Sequence, residues 1–255
     1  MAQNIPFLIS ARPKMLNWIE LFNPRAVKGT DQSRKNFQVQ WIIEKNDPDL
    51  EAMLAVAKDL LGKVAADRKQ PLQGMVPHKD YHWPFLSGEA HIENSRRSME
   101  RAGKEWKDDY EQHCAGKVIL RTSSQEIYPP TLIIPVQKGS EIEFKQLDDA
   151  AARAAAQKHF YRGMMALGKV SFQGYDFSAT SWGITAYVNE VCATGEGERI
   201  GMARADLGAY TYKPPVVAGA TTEFNPTVVG LFNKVQRHLK GAPKQDQLWD
   251  DEIPF

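Results

Sequence analysis

DDAAARAAAQKH, residues 148–159, is the most strongly helical stretch of this 255-residue chain. Six of its twelve residues are alanine, the best helix former. Asp148 and Asp149 stand at the positive end of the helix dipole, and Lys158 and His159 at the negative end. Two long alternating stretches follow this helix. In 160–173, Ala166, Gly168, Val170 and Phe172 alternate with Leu167, Lys169 and Ser171. In 181–193, Trp182, Ile184, Ala186 and Val188 alternate with Thr185, Tyr187 and Asn189. A period of two over this length predicts half-buried strands.

Three further strands precede the helix. KMLNWIELF (14–22) is apolar and aromatic, and FQVQWIIEK (37–45) sets Phe37, Val39, Trp41 and Ile43 against Gln38 and Gln40. A polar loop, NPRAVKGTDQSRKN, joins these two as a long hairpin. GKVILRTSS (116–124) is the third, and TLIIPV is a short extended piece after the Tyr128-Pro129-Pro130 turn. Asp47-Pro48-Asp49 starts a helix over 49–67, with Leu50, Leu54, Ala57, Leu61 and Val64 at helical spacing. About 70–115 reads as a charged, partly helical insertion. GEGERIG (195–201) reads as a hairpin turn, and Pro226 opens a short helix.

The resulting fold class is mainly β with added helices. A five-stranded barrel with one helix between the third and fourth strands is the OB-fold arrangement, and the alanine-rich helix falls in that slot. A generic α+β domain has the same element order. Residues 1–241 form the expected domain, and 242–255 a flexible acidic tail.

Composition narrows the function. With 42% hydrophobic residues the chain can build a core, and it has no apolar run long enough to span a membrane. MAQNIPFLIS lacks the pattern of a secretory signal, and two cysteines, Cys114 and Cys192, form no disulfide framework; both points favour the cytoplasm. The last ten residues hold Asp246, Asp250, Asp251 and Glu252 and no cation. Residues 1–245 therefore carry 32 basic against 27 acidic residues, a net +5. A basic body suits a polyanion.

No phosphate-cradling glycine loop is present, and no cofactor is implied. His78 and His82, with His91 and the His113-Cys114 pair, lack the convergence that a metal site needs, because Pro77 and Pro84 interrupt any helix there. No nucleophilic triad is visible, so no catalytic residue is assigned.

Binding a single strand without sequence preference needs cations along the phosphates and rings under the bases. The candidate cations are Arg12, Lys14, Arg25, Lys28, Arg34, Lys35, Lys117, Arg121 and Lys169. The candidate rings are Trp18, Tyr161, Tyr175 and Tyr187, the last favoured because Thr185 and Asn189 mark its face as polar. Trp41 and Trp182 fall on apolar faces and belong to the core.

The ending Asp250-Asp251-Glu252-Ile253-Pro254-Phe255 resembles the acidic tip of bacterial and phage single-stranded DNA-binding proteins. Pro254 holds Ile253 extended, and Phe255 joins a ring to the α-carboxylate; with Trp249 these residues form a candidate partner-binding segment. KVILRTSSQEIYPPTLIIP, FYRGMMALGKVSFQGYDF and WGITAYVNEVCATGEGERIG also resemble blocks of tailed-phage single-stranded DNA-binding proteins. That resemblance implies an OB barrel without enzymatic activity, which protects single-stranded DNA in replication or recombination. It also implies replication or recombination proteins as partners of the tip, with homo-oligomers or cooperative assembly on DNA possible. The alternatives are a strand-annealing or recombination-mediator protein and, more remotely, a metal-dependent nuclease using the His78–His113 region.

Overall fold

The computed structural model describes residues 4–26, 34–69, 81–106, 111–138 and 141–200. Lys28, His78, the helix expected from Pro226 and the 242–255 tail with Trp249 and the tip lie outside these residues.

Eight strands form one sheet: β1 (Asn4–Ala26), β2 (Lys35–Ile43), β3 (Phe85–Ser87), β4 (Val118–Gln125), β5 (Thr131–Lys138), β6 (Glu141–Gln146), β7 (Met164–Ser178) and β8 (Ser181–Gly197). The five strands expected from the sequence (β1, β2, β4, β7 and β8) close into a ring. β1 pairs antiparallel with β2 and β7, β2 with β4, and β7 with β8. The closure joins β4 to β8 in parallel through a single pair, Ser123 and Tyr187, so the ring is not a clean barrel. β3 extends the sheet beyond β4, and β5 and β6 extend it beyond β8.

β1 is much longer than the expected 14–22. Its first half pairs with β7 and its second with β2, and the register breaks between Ile9 and Lys14, between Leu16 and Ile19, and between Glu20 and Arg25. Such irregularities bend a strand, which lets β1 turn the corner between two partners. Pro13 falls inside the first break, where no ladder hydrogen bond is lost.

The ring interior holds Val39, Trp41, Leu120, Val170, Phe172, Ile184, Ala186 and Val188, all nearly inaccessible, together with Trp182. Trp41 lies against the β7 backbone at Gly168, where a Cβ would stand 2.7 Å from the indole Cη2. Its Nε1 donates to Thr122 Oγ1 at 3.1 Å, so the buried indole keeps a polar partner.

The alanine-rich helix keeps its expected place between the third and fourth ring strands, but another helix packs more of the ring. Helix α1 (Pro48–Asp67) is capped by Asp47, whose carboxylate accepts from the Asp49 amide at 2.9 Å. It buries Leu50, Met53, Ala57, Leu60, Leu61 and Ala65 against the ring, packing on β1, β7 and β8. The alanine-rich helix, α4 after α2 (Gly88–Arg101) and α3 (Glu111–Cys114), spans only Ala150–Ala156 and buries only Ala156. Alanine made it helical but left it no apolar stripe, so α1 rather than α4 closes the ring.

The insertion is partly helical, as expected, and the reading of the glycines is corrected. α2 starts at Gly88, capped by Ser87, and packs with α3 over a second small core of Ile42, Ile92, Cys114, Ile119 and Ile200. Gly195, Glu196 and Gly197 do not form a hairpin turn; they end β8, where Gly197 pairs with Met164.

Candidate nucleic-acid interface

The outward faces of β7 and β8 run side by side. Ser171 stands opposite Tyr187, Gln173 opposite Thr185 and Lys169 opposite Glu190. On the other edge of β7, Ser171 faces Pro6 and Gln173 faces Asn4 of β1. These positions alternate with the core residues Val170, Phe172, Ala186 and Val188, so strand periodicity alone turns them outward.

A wall rises over this face because of the chain between β4 and β5. β4 meets β8 at Tyr187, whereas β5 joins β8 only from Glu190 onward. Between those points the chain turns at Gln125–Tyr128, with the Tyr128 amide donating to the Gln125 carbonyl at 2.9 Å. Pro129 and Pro130 follow and have no amide hydrogen with which to continue a ladder. The turn therefore stands away from the sheet opposite Val188 and Asn189. Under it lies a cleft of about 590 Å³, floored by Asn4, Pro6, Ser171, Gln173, Tyr187 and Asn189 and walled by Ile127, Tyr128 and Pro129. Ile127 is 72% exposed and Tyr128 37%.

Charge is sparse inside the cleft. Among the described residues, the charged side chains that line it are Lys169 and Glu190, with Lys169 Nζ 3.9 Å from the Glu190 carboxylate. Burial raises the Glu190 pKa, which Lys169 partly offsets. Cations stand at the rim instead. Asn36 pairs with Gln125, and the Glu126 amide donates to the Lys35 carbonyl at 3.0 Å, which brings Arg34 and Lys35 beside the walling turn. Both side chains are exposed, and neither makes an ion pair among the described residues.

The other candidates are placed elsewhere. Lys14, expected at the surface, is 2% exposed and held between Asp47 at 2.7 Å and Asp49 at 2.8 Å. The reading of Lys14 as a phosphate-facing residue is therefore corrected: a buried ammonium between two carboxylates has no face left for DNA. Arg12 binds Asp47 at 2.8 Å, Lys117 binds Glu44 at 3.0 Å, and Arg25 binds Glu20 at 2.8 Å while lying over the Trp18 ring. Burial alone would raise the Asp47 pKa, but Lys14 and Arg12 outweigh it and hold the carboxyl below its usual value. Arg121 is exposed and donates to the Trp83 carbonyl at 3.1 Å. Tyr161 donates to the Gly197 carbonyl at 2.9 Å beneath the Arg199 guanidinium. Tyr175, half-buried on β7, packs against His82 and Phe177.

Of the thirteen DNA-contact candidates, the cleft thus gathers Lys169 and Tyr187, with Arg34 and Lys35 beside it. Ser171, Tyr128 and the exposed Phe177 were not singled out from the sequence. The Tyr-Pro-Pro turn was a usable signal for Tyr128, since it had to stand off the sheet.

The histidines occupy separate surroundings. His82 Nδ1 lies 2.9 Å from the Ile184 carbonyl, and His91 is buried against Asn17 at 3.0 Å. No group of three or more His, Cys, Asp or Glu residues is gathered around a common point among the described residues. Burial pushes the Cys114 thiol up to about 11 and the Cys192 thiol up to about 12, far from thiolate chemistry at neutral pH. No helix among the described residues is long and apolar enough to cross a membrane.

The ring and the capped cleft define an elaborated OB-type β domain. Its fold is shared with the C-terminally truncated single-stranded DNA-binding protein of bacteriophage Enc34: TM-score 0.50 and 9% identity, over 77% of this chain and 88% of that one. The same Enc34 protein in complex with ssDNA aligns at TM-score 0.49 and 10% identity, over 78% of this chain and 89% of that one. The single-stranded DNA-binding protein gp2.5 of bacteriophage T7 aligns at 0.43 and 13% identity, over 80% and 92%. No protein-family model and no curated protein matches the sequence.

Proposed function

We propose that this protein binds single-stranded DNA without enzymatic turnover. The observation that carries the reading is the cleft on the outer face of β7 and β8. It sets the rings of Tyr187 and Tyr128 beside polar side chains, with Lys169 inside and the exposed Arg34 and Lys35, without an ion pair among the described residues, at its rim. Rings stack on bases, and rim cations hold phosphates. The Enc34 protein that shares this fold is a single-stranded DNA-binding protein, which supports the reading. The protein protects single strands during phage replication or recombination in the host cytoplasm. Its segment Trp249 to Phe255 recruits partner proteins, the acids steering approach and Phe255 filling an apolar slot. Residues 1–241 act as the binding domain and 242–255 as the recruiting tail.

A fluorescence titration with oligo-dT across salt concentrations tests the reading. Log affinity falls with log salt by about 0.7 per phosphate contacted. Tyr187→Ala weakens binding by about 1–3 kcal/mol while thermal stability holds. Absence of binding at low salt overturns the proposal.

A further inference from the structure

Three side-chain atoms in this protein are buried without a hydrogen-bond partner among the described residues: Ser124 Oγ, Ser171 Oγ and Asn189 Oδ1. All three belong to residues that line the same cleft. Ser171 is 3% exposed and Ser124 5%. Elsewhere the protein satisfies its buried polar groups: Thr122 bonds Trp41 and the Val39 carbonyl, and Asn17 bonds Gln40, His91 and Arg162. Leaving a buried hydroxyl or amide unpaired costs about 1–3 kcal/mol, and native interiors pair nearly all of them. Three such atoms gathered at one cleft, with none elsewhere among the described residues, form a local feature that needs its own explanation.

The cleft does not suit a phosphate. Among the described residues, its single cation, Lys169, already faces Glu190, and the remaining lining is neutral. It suits a flat, neutral ligand with hydrogen-bonding edges, bordered by the rings of Tyr187 and Tyr128.

We infer that the cleft receives unstacked nucleobases edge-first, with Asn189 and Ser171 hydrogen-bonding the base edge, so that binding depends on base-edge chemistry and not on stacking and phosphate contacts alone. The inference rests on the single-stranded DNA reading above and deepens it. On base entry the Asn189 and Ser171 side chains turn from their buried rotamers to the cleft surface, where Asn189 Oδ1 accepts from a base N–H, such as thymine N3–H, and the Ser171 hydroxyl donates to the neighbouring carbonyl. Ser124 adds a third hydroxyl at the same cleft.

The test compares oligo-dT with an oligonucleotide of equal length built from N3-methylthymidine. Methylation removes the N–H donor but leaves the ring free to stack and the phosphates unchanged. The wild-type protein is expected to bind the methylated strand about tenfold more weakly. Asn189→Ala and Ser171→Ala are expected to shrink that ratio towards one. Because neither loses a hydrogen bond to any of the described residues, both variants are expected to keep or raise the wild-type Tm. Equal wild-type affinity for the two strands overturns the inference while leaving single-stranded DNA binding intact, as does an unchanged ratio in both variants. A lowered Tm for Ser171→Ala also overturns it, by showing that the hydroxyl serves the fold. Failure to bind either strand overturns the DNA-binding reading itself.

Discussion

The ring carries polar side chains at two places that the strand pattern makes look alike, and the fold treats them oppositely. Around the start of α1, Lys14, Arg12 and Lys117 each meet a carboxylate, and Asn17 joins His91, Gln40 and Arg162 in a connected network. At the β4–β8 seam, Ser124 Oγ, Ser171 Oγ and Asn189 Oδ1 find no hydrogen-bond partner among the described residues. The first region uses its polar groups to hold the molecule together; in the second they have no partner among the described residues. A cation on an alternating strand is thus a ligand contact only when no acid in the fold reaches it first.

Lys14 offers the largest test of that contrast. Lys14→Met leaves Asp47 and Asp49 as buried carboxylates without their ammonium, and is expected to destabilise the domain by about 3–5 kcal/mol. Urea denaturation reads the loss, and oligo-dT affinity of the folded protein stays at the wild-type value. Retained stability with weakened DNA binding would reverse the roles of the two regions.

His91 gives the next largest effect. Burial first, and then the charges of Arg121 and Arg162, lower its pKa from 6.5 to about 4. Arg162 donates to Asn17 Oδ1 at 3.1 Å, which leaves Asn17 Nδ2 to donate to the neutral imidazole Nε2. The unfolded chain therefore binds a proton more readily than the folded one. The stabilisation is complete above pH 6.5 and is lost as pH falls towards 4, by roughly 3 kcal/mol. Denaturation midpoints at pH 7, 5.5 and 4.5 measure the slope, and His91→Gln flattens it. A wild-type slope that persists in that variant assigns the effect to other groups.

The smallest effect separates free from paired cations. Arg34→Gln and Lys35→Gln are each expected to reduce the salt slope of oligo-dT binding by about 0.7. Arg12→Gln, whose wild-type guanidinium is held by Asp47, leaves that slope unchanged. Equal losses from all three would erase the distinction between the two regions.

Much of the architecture was legible in local pattern. The alternation in 37–43, 164–173 and 181–193 is that of β2, β7 and β8, and the cap and apolar stripe of 47–65 are those of α1. The first half of β1 was missed because Arg12-Pro13-Lys14 reads as a surface break, whereas Lys14 is buried on acids 33 and 35 residues away. β6 was also missed, since Ile142 and Phe144 alternate over too few residues to stand out. At the cleft, the outward turn of Tyr187 and Asn189 followed from period two. The wall above them did not, because it depends on where β4 leaves β8 and β5 joins it.

By itself, the sequence determined the periods, the caps and the breakers: which stretches are strands, where α1 begins, and that Pro129-Pro130 ends a ladder. These are properties of neighbouring residues, and the physics that sets them acts within a few positions. Only the tertiary structure decided which helix packs on the ring, which cations are neutralised and which polar groups find no partner among the described residues. Those outcomes turn on distances between residues far apart in the chain. Lys14 finds Asp47 because β1 bends past the cap of α1, and Ser171 shares a cleft with Asn189 because β7 and β8 pair in one register and no other.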